Sequence, residues 1–191
     1  MSTDDKKIAN ISKKLGAEVP FLRPKQFATK NAKILPVILH CLNFLESKEQ
    51  YIPDYVICLP PTSPFRTHIE INKGISMILH SNQNSLTGIT KVTQHPAWIF
   101  KMNSNQKLSS VFAIKKRPER SQDLPEYFYI NGSISISKIS HFKRRDIKYI
   151  LDFNKIIGLE MNPLKSFDID TESDFYLADL LMKSLQNKNY F

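Results

Sequence analysis

Tyr55-Val56-Ile57-Cys58-Leu59 is an unbroken apolar run of strand length, and together with the segments after it this run decides the architecture. Such a run leaves no polar face for solvent, which marks a strand covered on both sides. The turn Pro60-Pro61-Thr62-Ser63-Pro64-Phe65-Arg66 comes directly after it. Next come a helical stretch from about Ile69 to His80 and a second strand-like run from Ser85 to Thr93. Strand, helix, strand in that order implies a parallel crossover unit. The chain is therefore expected to be α/β.

The flanking segments fit around that unit. A first helix is expected from about Asp4 to Leu15, where Ser2 with Asp5 resembles a capping box and Ile8, Ile11 and Leu15 form the apolar stripe. Gly16 suits its C′ position. Ala17 to Phe21 reads as extended, and Leu22-Arg23-Pro24 begins a loop. A second helix covers roughly Ala32 to Ser47, with Pro36 tolerated in its first turn. Its apolar residues wrap most of the way round, so it is expected to be well buried. From His95 to about Ile139 the pattern reads as an antiparallel excursion from the main sheet. There Ala97–Met102 and Tyr127–Ile136 are strand-like, with turn chemistry at Asn103-Ser104-Asn105-Gln106. Lys155 to Met161 returns as a strand, and Thr171 with Asp174 caps a last helix through about Leu185.

Composition narrows the class. At 191 residues, 41% hydrophobic and 24% charged, the chain suits one domain, 1–191, with a real core. No apolar run approaches the ~20 residues that span a membrane. Met1–Lys7 lacks the apolar core of a signal peptide. Cys41 and Cys58 fall in apolar surroundings and read as reduced core thiols, so the expected location is cytoplasmic. The net charge of +9 raises a nucleic-acid partner. Only Lys115-Lys116-Arg117 and Lys143-Arg144-Arg145 are tight basic groups, however, and no aromatic-interleaved basic run offers base stacking. Small anionic substrates such as nucleotides or sugar acids suit the same charge.

Four segments carry residue types that do chemistry. In Ser166-Phe167-Asp168-Ile169-Asp170-Thr171-Glu172-Ser173-Asp174, an extended backbone would put Asp168 and Asp170 on one side and Ile169 on the other. Two hard carboxylates so placed suit a Mg²⁺ that also holds phosphates. The alternative is an acidic strand end with Asp170 or Thr171 capping the next helix. In the proline-rich turn, the hydroxyls of Thr62 and Ser63 can meet sugar or phosphate oxygens and Arg66 can pair with an anion, or the turn is a rigid loop with a helix cap. In Arg117–Pro125, Arg120 and Gln122 share a side if extended; otherwise the stretch is a solvated loop. Asn131-Gly132 is either a tight turn or a bulge that admits a ligand to the backbone. Arg23 is either a surface residue or part of a strand-end loop. None of the five histidines has metal-ligand spacing, and His40 is placed in the core.

Six landmarks stand in one order along nearly the whole chain: Ser2-Thr3-Asp4; Gly16-Ala17-Glu18-Val19-Pro20-Phe21-Leu22-Arg23-Pro24; Pro61-Thr62-Ser63-Pro64-Phe65-Arg66; Arg120-Ser121-Gln122-Asp123-Leu124-Pro125; Asn131-Gly132; and Asp168-Ile169-Asp170-Thr171. In that order they resemble the acylneuraminate cytidylyltransferases, the CMP-sialic acid synthetase family. The Pro-Thr-Ser-Pro loop separates this branch from the related KDO cytidylyltransferases.

The resemblance implies a three-layer, Rossmann-like, mostly parallel sheet of the nucleotide-diphospho-sugar transferase type. It implies transfer of CMP from CTP to the anomeric hydroxyl of a sialic-acid-like nonulosonic acid, with release of pyrophosphate. By resemblance Asp168 and Asp170 hold Mg²⁺, and Arg120 and Asp170 are catalytic. Gln122 contacts the sugar acid, Arg23 faces the nucleotide, and Thr62, Ser63, Arg66, Asn131 and Gly132 line the cleft. A homodimer is implied through the excursion, residues 94–125. The family pattern also has an earlier strand and a glycine- and lysine-bearing phosphate loop, so the first strand unit is expected to be missing here. Pro60, Lys30 and Ser135 depart from the family's usual glutamine, aspartate and tyrosine. The accompanying alternative is an N-terminally truncated, inactive remnant that binds sugar acid or dimerises.

Overall fold

The structure is a computed structural model and describes residues 1–112, 120 and 124–186. In chain order its elements are α1 (Lys6–Lys14), α2 (Ile34–Glu49), β1 (Tyr55–Cys58), α3 (His68–Leu79), β2 (Ser85–Lys91), β3 (Phe100–Met102), β4 (Leu108–Ser110), β5 (Phe128–Lys138), α4 (Ile139–Phe142), β6 (Ile156–Glu160) and α5 (Glu172–Gln186). The chain forms two compact units, Met1–Val56 with Ser137–Asn154, and Ile57–Ile136 with Lys155–Phe191. No helix among the described residues is long and apolar enough to cross a membrane.

In the first unit, α1 is capped by Asp5 rather than by a box begun at Ser2. One Asp5 carboxylate oxygen accepts from the Lys7 N–H (2.6 Å) and the Ile8 N–H (3.0 Å). That answers two of the donors a helix start leaves open. Gly16 ends the helix at φ +87°, a left-handed conformation that favours glycine. Ala17–Phe21 is irregular and forms no strand. α2 is less buried than its sequence suggests, with only Val37 and Ile38 fully covered. Its apolar residues surround the helix, but only one face meets enough apolar surface to be sealed. On α2, His40 and Phe44 lie against the Phe21 ring, at centroid distances of 4.7 and 4.8 Å, so His40 is a packing residue.

The main sheet has the order β1-β5-β2-β6. β2 and β6 are parallel, with Ser85 opposite Ile156 and Ile89 opposite Glu160. The Val92 N–H bonds the Tyr127 carbonyl, while the Thr87 hydroxyl bonds the Ile134 carbonyl further along. Residue numbers rise in β5 as they fall in β2, so those two strands are antiparallel. The α/β class stands, and the sheet is mixed. β1 lies at its edge, which explains why that apolar run is half-buried instead of covered on both faces.

β5 also corrects the reading of Tyr127–Ile136 as part of the excursion, because it is a strand inside the main sheet. Asn131-Gly132 does not end it. Gly132 takes φ +71° and the strand continues, as a bulge permits. Beyond it Ser133, Ile134, Ser135, Ile136 and Ser137 are all buried, since both faces of this strand are covered. The excursion itself is a short antiparallel hairpin, with Phe100 opposite Ser110 and Met102 opposite Leu108.

α3 packs on β2 and β6. The contact is close because Gly74 faces Leu86, Ile136 and Leu159, the nearest of whose atoms would lie 3.3 Å from an added Cβ. A second cluster centres on Phe65, Ala178 and Leu185, with Leu164, Phe167, Ile169, Leu181 and Met182 packed against it. On β2, Gly88 leaves room for a polar group: a Cβ there would lie 2.5 Å from Asn131 Oδ1 and 2.9 Å from Met161 Sδ. Gly88→Ala is therefore expected to destabilise the fold by about 1–3 kcal/mol, the usual cost of overpacking a buried position. Denaturant unfolding measures it directly, and an unchanged midpoint would show that Asn131 can move aside at no cost.

Candidate active site

Strands β2 and β6 run in parallel, so their carboxyl ends share one edge of the sheet, the edge at which open α/β sheets bind ligands. The chain leaves β6 through Met161, makes a 3-10 turn at Pro163–Ser166 packed against β2, and reaches Asp168. The proline-rich turn leaves β1 and arrives at the same acidic segment. The Ile169 N–H donates to the Thr62 carbonyl at 2.9 Å. The Ser63 hydroxyl donates to Asp168 Oδ1 at 3.4 Å. Two segments about a hundred residues apart in sequence are thus joined backbone to backbone and side chain to carboxylate.

Packing sets which way Asp168 faces. Phe167 and Ile169 both turn into the Phe65 cluster, and the Phe65 and Phe167 rings meet edge to face at 5.9 Å. Alternation along an extended segment then directs the intervening Asp168 away from the cluster. Asp168 is half-buried and Asp170 exposed. Two hard carboxylates on one extended stretch suit Mg²⁺, which binds through one or two carboxylates and keeps its waters and substrate phosphates. Among the described residues no group of three or more His, Cys, Asp or Glu could hold a metal.

The remaining predicted residues divide by what they touch. Thr62 is exposed, whereas Ser63 is buried. Arg66 is half-buried and donates to the Ser63 carbonyl at 2.9 Å, bracing the turn from within. Burial pulls its guanidinium below the ordinary value, partly offset by the neighbouring Cys58, yet an arginine remains charged. Burial also pushes the Cys58 thiol up, against the Arg66 charge; Cys58 and Cys41 are both free thiols. Asn131 is buried, and Gly132 beside it takes φ +71° within the continuous strand. Arg120 is exposed, and Gln122 lies outside the described residues. Arg23 belongs to the first unit, where its guanidinium donates to the Ser2 hydroxyl and the Ser2 carbonyl, at 3.2 and 2.6 Å.

One feature of this edge carries no mark in the motifs. A cleft of about 300 Å³ follows β2, lined among others by Lys91, Gln94, His95, Trp98 and Tyr127. His95 anchors its wall, with Nε2 3.2 Å from the Pro125 carbonyl and its ring edge-to-face with Tyr127 at 4.8 Å. The signal available in the sequence was a histidine and a tryptophan placed just beyond a strand's carboxyl end.

No protein-family model matches the chain. It is 28% identical over 195 residues to the CMP-N,N'-diacetyllegionaminic acid synthase of Legionella pneumophila, across 96% of this chain and 77% of that one. It is 26% identical over 183 residues to the pseudaminic acid cytidylyltransferase of Campylobacter jejuni, with the same two coverages. Among solved structures, the CMP:2-keto-3-deoxy-manno-octonic acid synthetase complexed with CTP shares the fold, with a TM-score of 0.60 at 11% identity over 96% of this chain and 79% of that one. The sequence landmarks and these relatives point the same way: the chain is similar to a CMP-nonulosonic acid synthase and a pseudaminic acid cytidylyltransferase along nearly its whole length.

Two carboxyls that fix helix starts beside this edge make its stability pH-dependent. Glu70 forms a capping box with Thr67. Burial raises its carboxyl, but hydrogen bonds from the Thr67 hydroxyl and N–H and the Lys165 charge outweigh that, and it titrates below its ordinary value. Asp174 accepts from the Thr171 hydroxyl and N–H and is likewise depressed. A depressed carboxyl stabilises the fold in its charged form. That contribution is present above the ordinary carboxylate range and is lost as pH falls through the lowered values. The thermal midpoint should drop as pH is taken from roughly 6 to roughly 3.5, and Glu70→Gln with Asp174→Asn should flatten that dependence.

Proposed function

We propose that the protein transfers CMP from CTP to a nonulosonic acid of the sialic, legionaminic or pseudaminic kind, releasing pyrophosphate. The observation that carries this reading is the junction of the proline-rich turn with the acidic segment, Ser63 to Asp168 and Thr62 to Ile169. It gathers hydroxyl, guanidinium and carboxylate groups at the carboxyl edge of the sheet, and the relatives with matching sequence are cytidylyltransferases.

In this reading Asp168 and Asp170 hold Mg²⁺. Bound there, such an ion would supply charge neutralisation for the CTP phosphates and a lowered pKa for the sugar hydroxyl. The chain's own groups do the rest. Ser63 spends its hydroxyl orienting Asp168, and Thr62, exposed beside it, keeps its hydroxyl for substrate oxygens. Arg66 fixes the turn and brings positive charge towards phosphate. Arg120 pairs with charge that develops on the transferred group, as fixed guanidinium groups do in phosphoryl transfer. The cleft after β2 receives the sugar acid. Ammonium, amide, imidazole and indole surfaces together suit a polyhydroxylated acid with acylamino groups, and Gln122 contacts it.

The test is pyrophosphate release from CTP with each of the three sugar acids, with and without Mg²⁺. Turnover is expected with one of them and only with the metal. Asp168→Asn should lower kcat by at least about a hundredfold, a loss of roughly 3 kcal/mol in the transition state, while leaving the unfolding midpoint intact. Absence of turnover with every sugar acid, or near-wild-type turnover in Asp168→Asn, would defeat the proposal.

The hairpin β3–β4 and its flanks leave Trp98, Phe100, Met102, Leu108 and Phe112 exposed, an apolar surface of the kind that seals an interface. A second copy of the chain is proposed to cover it. Sedimentation equilibrium should then report a dimer, and Met102→Glu with Leu108→Glu a monomer. A wild-type monomer would refute it.

A further inference from the structure

A chain of buried hydrogen bonds lies directly beneath the segment that carries Asp168, and none of the proposed substrate contacts uses it. Thr90, Asn131, Ser133 and Ser166 are each at most 5% exposed. Asn131 Oδ1 accepts from the Ser133 N–H (3.1 Å) and the Ser133 hydroxyl (2.7 Å), which fixes the amide's orientation. Its Nδ2 donates to Ser166 Oγ at 2.8 Å. Ser166 Oγ and Thr90 Oγ1 are 2.8 Å apart, and Thr90 Oγ1 lies 2.5 Å from the Met161 carbonyl.

A proton count selects the sense of this chain. Each hydroxyl has one proton. If Thr90 donates to Met161, then Ser166 must donate to Thr90, and Asn131 to Ser166. The bonds then run head to tail from β5 through the 3-10 turn and β2 to the end of β6. The cost falls on the contact from Ser166 Oγ to the Asn162 carbonyl, 3.0 Å away, which this arrangement leaves without a proton. Bonds aligned head to tail strengthen one another, and a buried member left unpaired is costly. Ser166 stands two residues before Asp168, with only the anchored Phe167 between them.

We propose that Thr90 and Ser166 are positioning residues whose hydroxyl pair locks the 3-10 turn to β2 and so holds Asp168 against the Ser63 turn. Their role in turnover rests on the cytidylyltransferase reading, but the locking itself does not. The backbone bond from Ile169 to Thr62 reports it without metal or substrate. In the full chain, Thr90→Val keeps the shape and removes the hydroxyl, whereas Thr90→Ser restores it. Amide hydrogen exchange should show protection at Ile169 falling by roughly tenfold or more in Thr90→Val, as expected for the loss of one buried hydrogen bond. It should recover in Thr90→Ser, with Leu86 in the central strand unaffected in both. Ser166→Ala should behave as Thr90→Val does. Binding of Mn²⁺, followed by its paramagnetic resonance, should weaken by a similar factor in the two hydroxyl-deleted variants. In turnover kcat should fall while the KM for CTP stays.

Unchanged protection at Ile169 would overturn the proposal. So would equal loss at Ile169 and Leu86 in both Thr90→Val and Ser166→Ala, which would make the pair a general stability device. Loss at Ile169 with Mn²⁺ binding intact would break the link to Asp168. A wild-type chain that neither binds Mn²⁺ nor turns over CTP would sink the catalytic reading alone, leaving the exchange measurement to decide the locking.

Discussion

The hydrogen bond from the Ile169 N–H to the Thr62 carbonyl is the constraint on which the candidate site depends. It is one backbone bond, worth on the order of 1 kcal/mol net, and would not by itself hold two loops together. Phe65 makes it effective. That side chain belongs to the same turn as Thr62, is completely buried, and packs with Phe167 and Ile169 on either side of Asp168. Burying an aromatic ring of this size is worth about 1.5–3 kcal/mol, so the apolar contact supplies the energy and the hydrogen bond supplies the register. The carboxylate's direction then follows from alternation.

Much of this was legible in the sequence, and the reasons are local ones. β1, α3, β2, β6 and α5 fall where apolar period and capping chemistry place them. The cap of Thr171 with Asp174 is spelled within one turn of sequence and forms as spelled. The convergence of Ser63 on Asp168 was reachable only through motif order, because no local rule relates residues so far apart. The failures came where tertiary context overrides pattern. α2 looks like a core helix by composition, yet burial depends on what faces it. β5 resembles an excursion because Asn131-Gly132 reads as a turn in isolation; a left-handed glycine can equally be absorbed as a bulge when strands on both sides hold the register.

The polar residues of the second unit separate into two groups by how their hydrogen-bonding capacity is used. Ser63, Asn131, Ser133, Ser166 and Thr90 direct it at other protein groups and are buried. Thr62, Asp170 and Arg120 are exposed, and Asp168 has a second carboxylate oxygen beyond the one Ser63 reaches. A group that must bind substrate needs unspent donors or acceptors, and one that must hold geometry needs the opposite. Motif resemblance does not distinguish these roles, since both kinds of residue stand at motif positions. Asn131 illustrates it. The resemblance implies a cleft-lining amide there; in the structure its carbonyl accepts from two donors and its amino group donates to Ser166.

The same accounting explains the glycine at position 88. A polar chain buried between strands needs space that ordinary side chains would fill, and Gly88 provides it beside Asn131 Oδ1, Met161 Sδ and Ser133 Oγ. Once those polar groups are enclosed, each must be satisfied, because an unpaired buried donor or acceptor costs more than a satisfied one gains. That asymmetry makes the arrangement close to all-or-none, so the orientation of Asn131, the seating of Ser166 and the course of the chain towards Asp168 are decided together. A site assembled from three separate strand ends can then be placed as one object, although no single contact within it is strong.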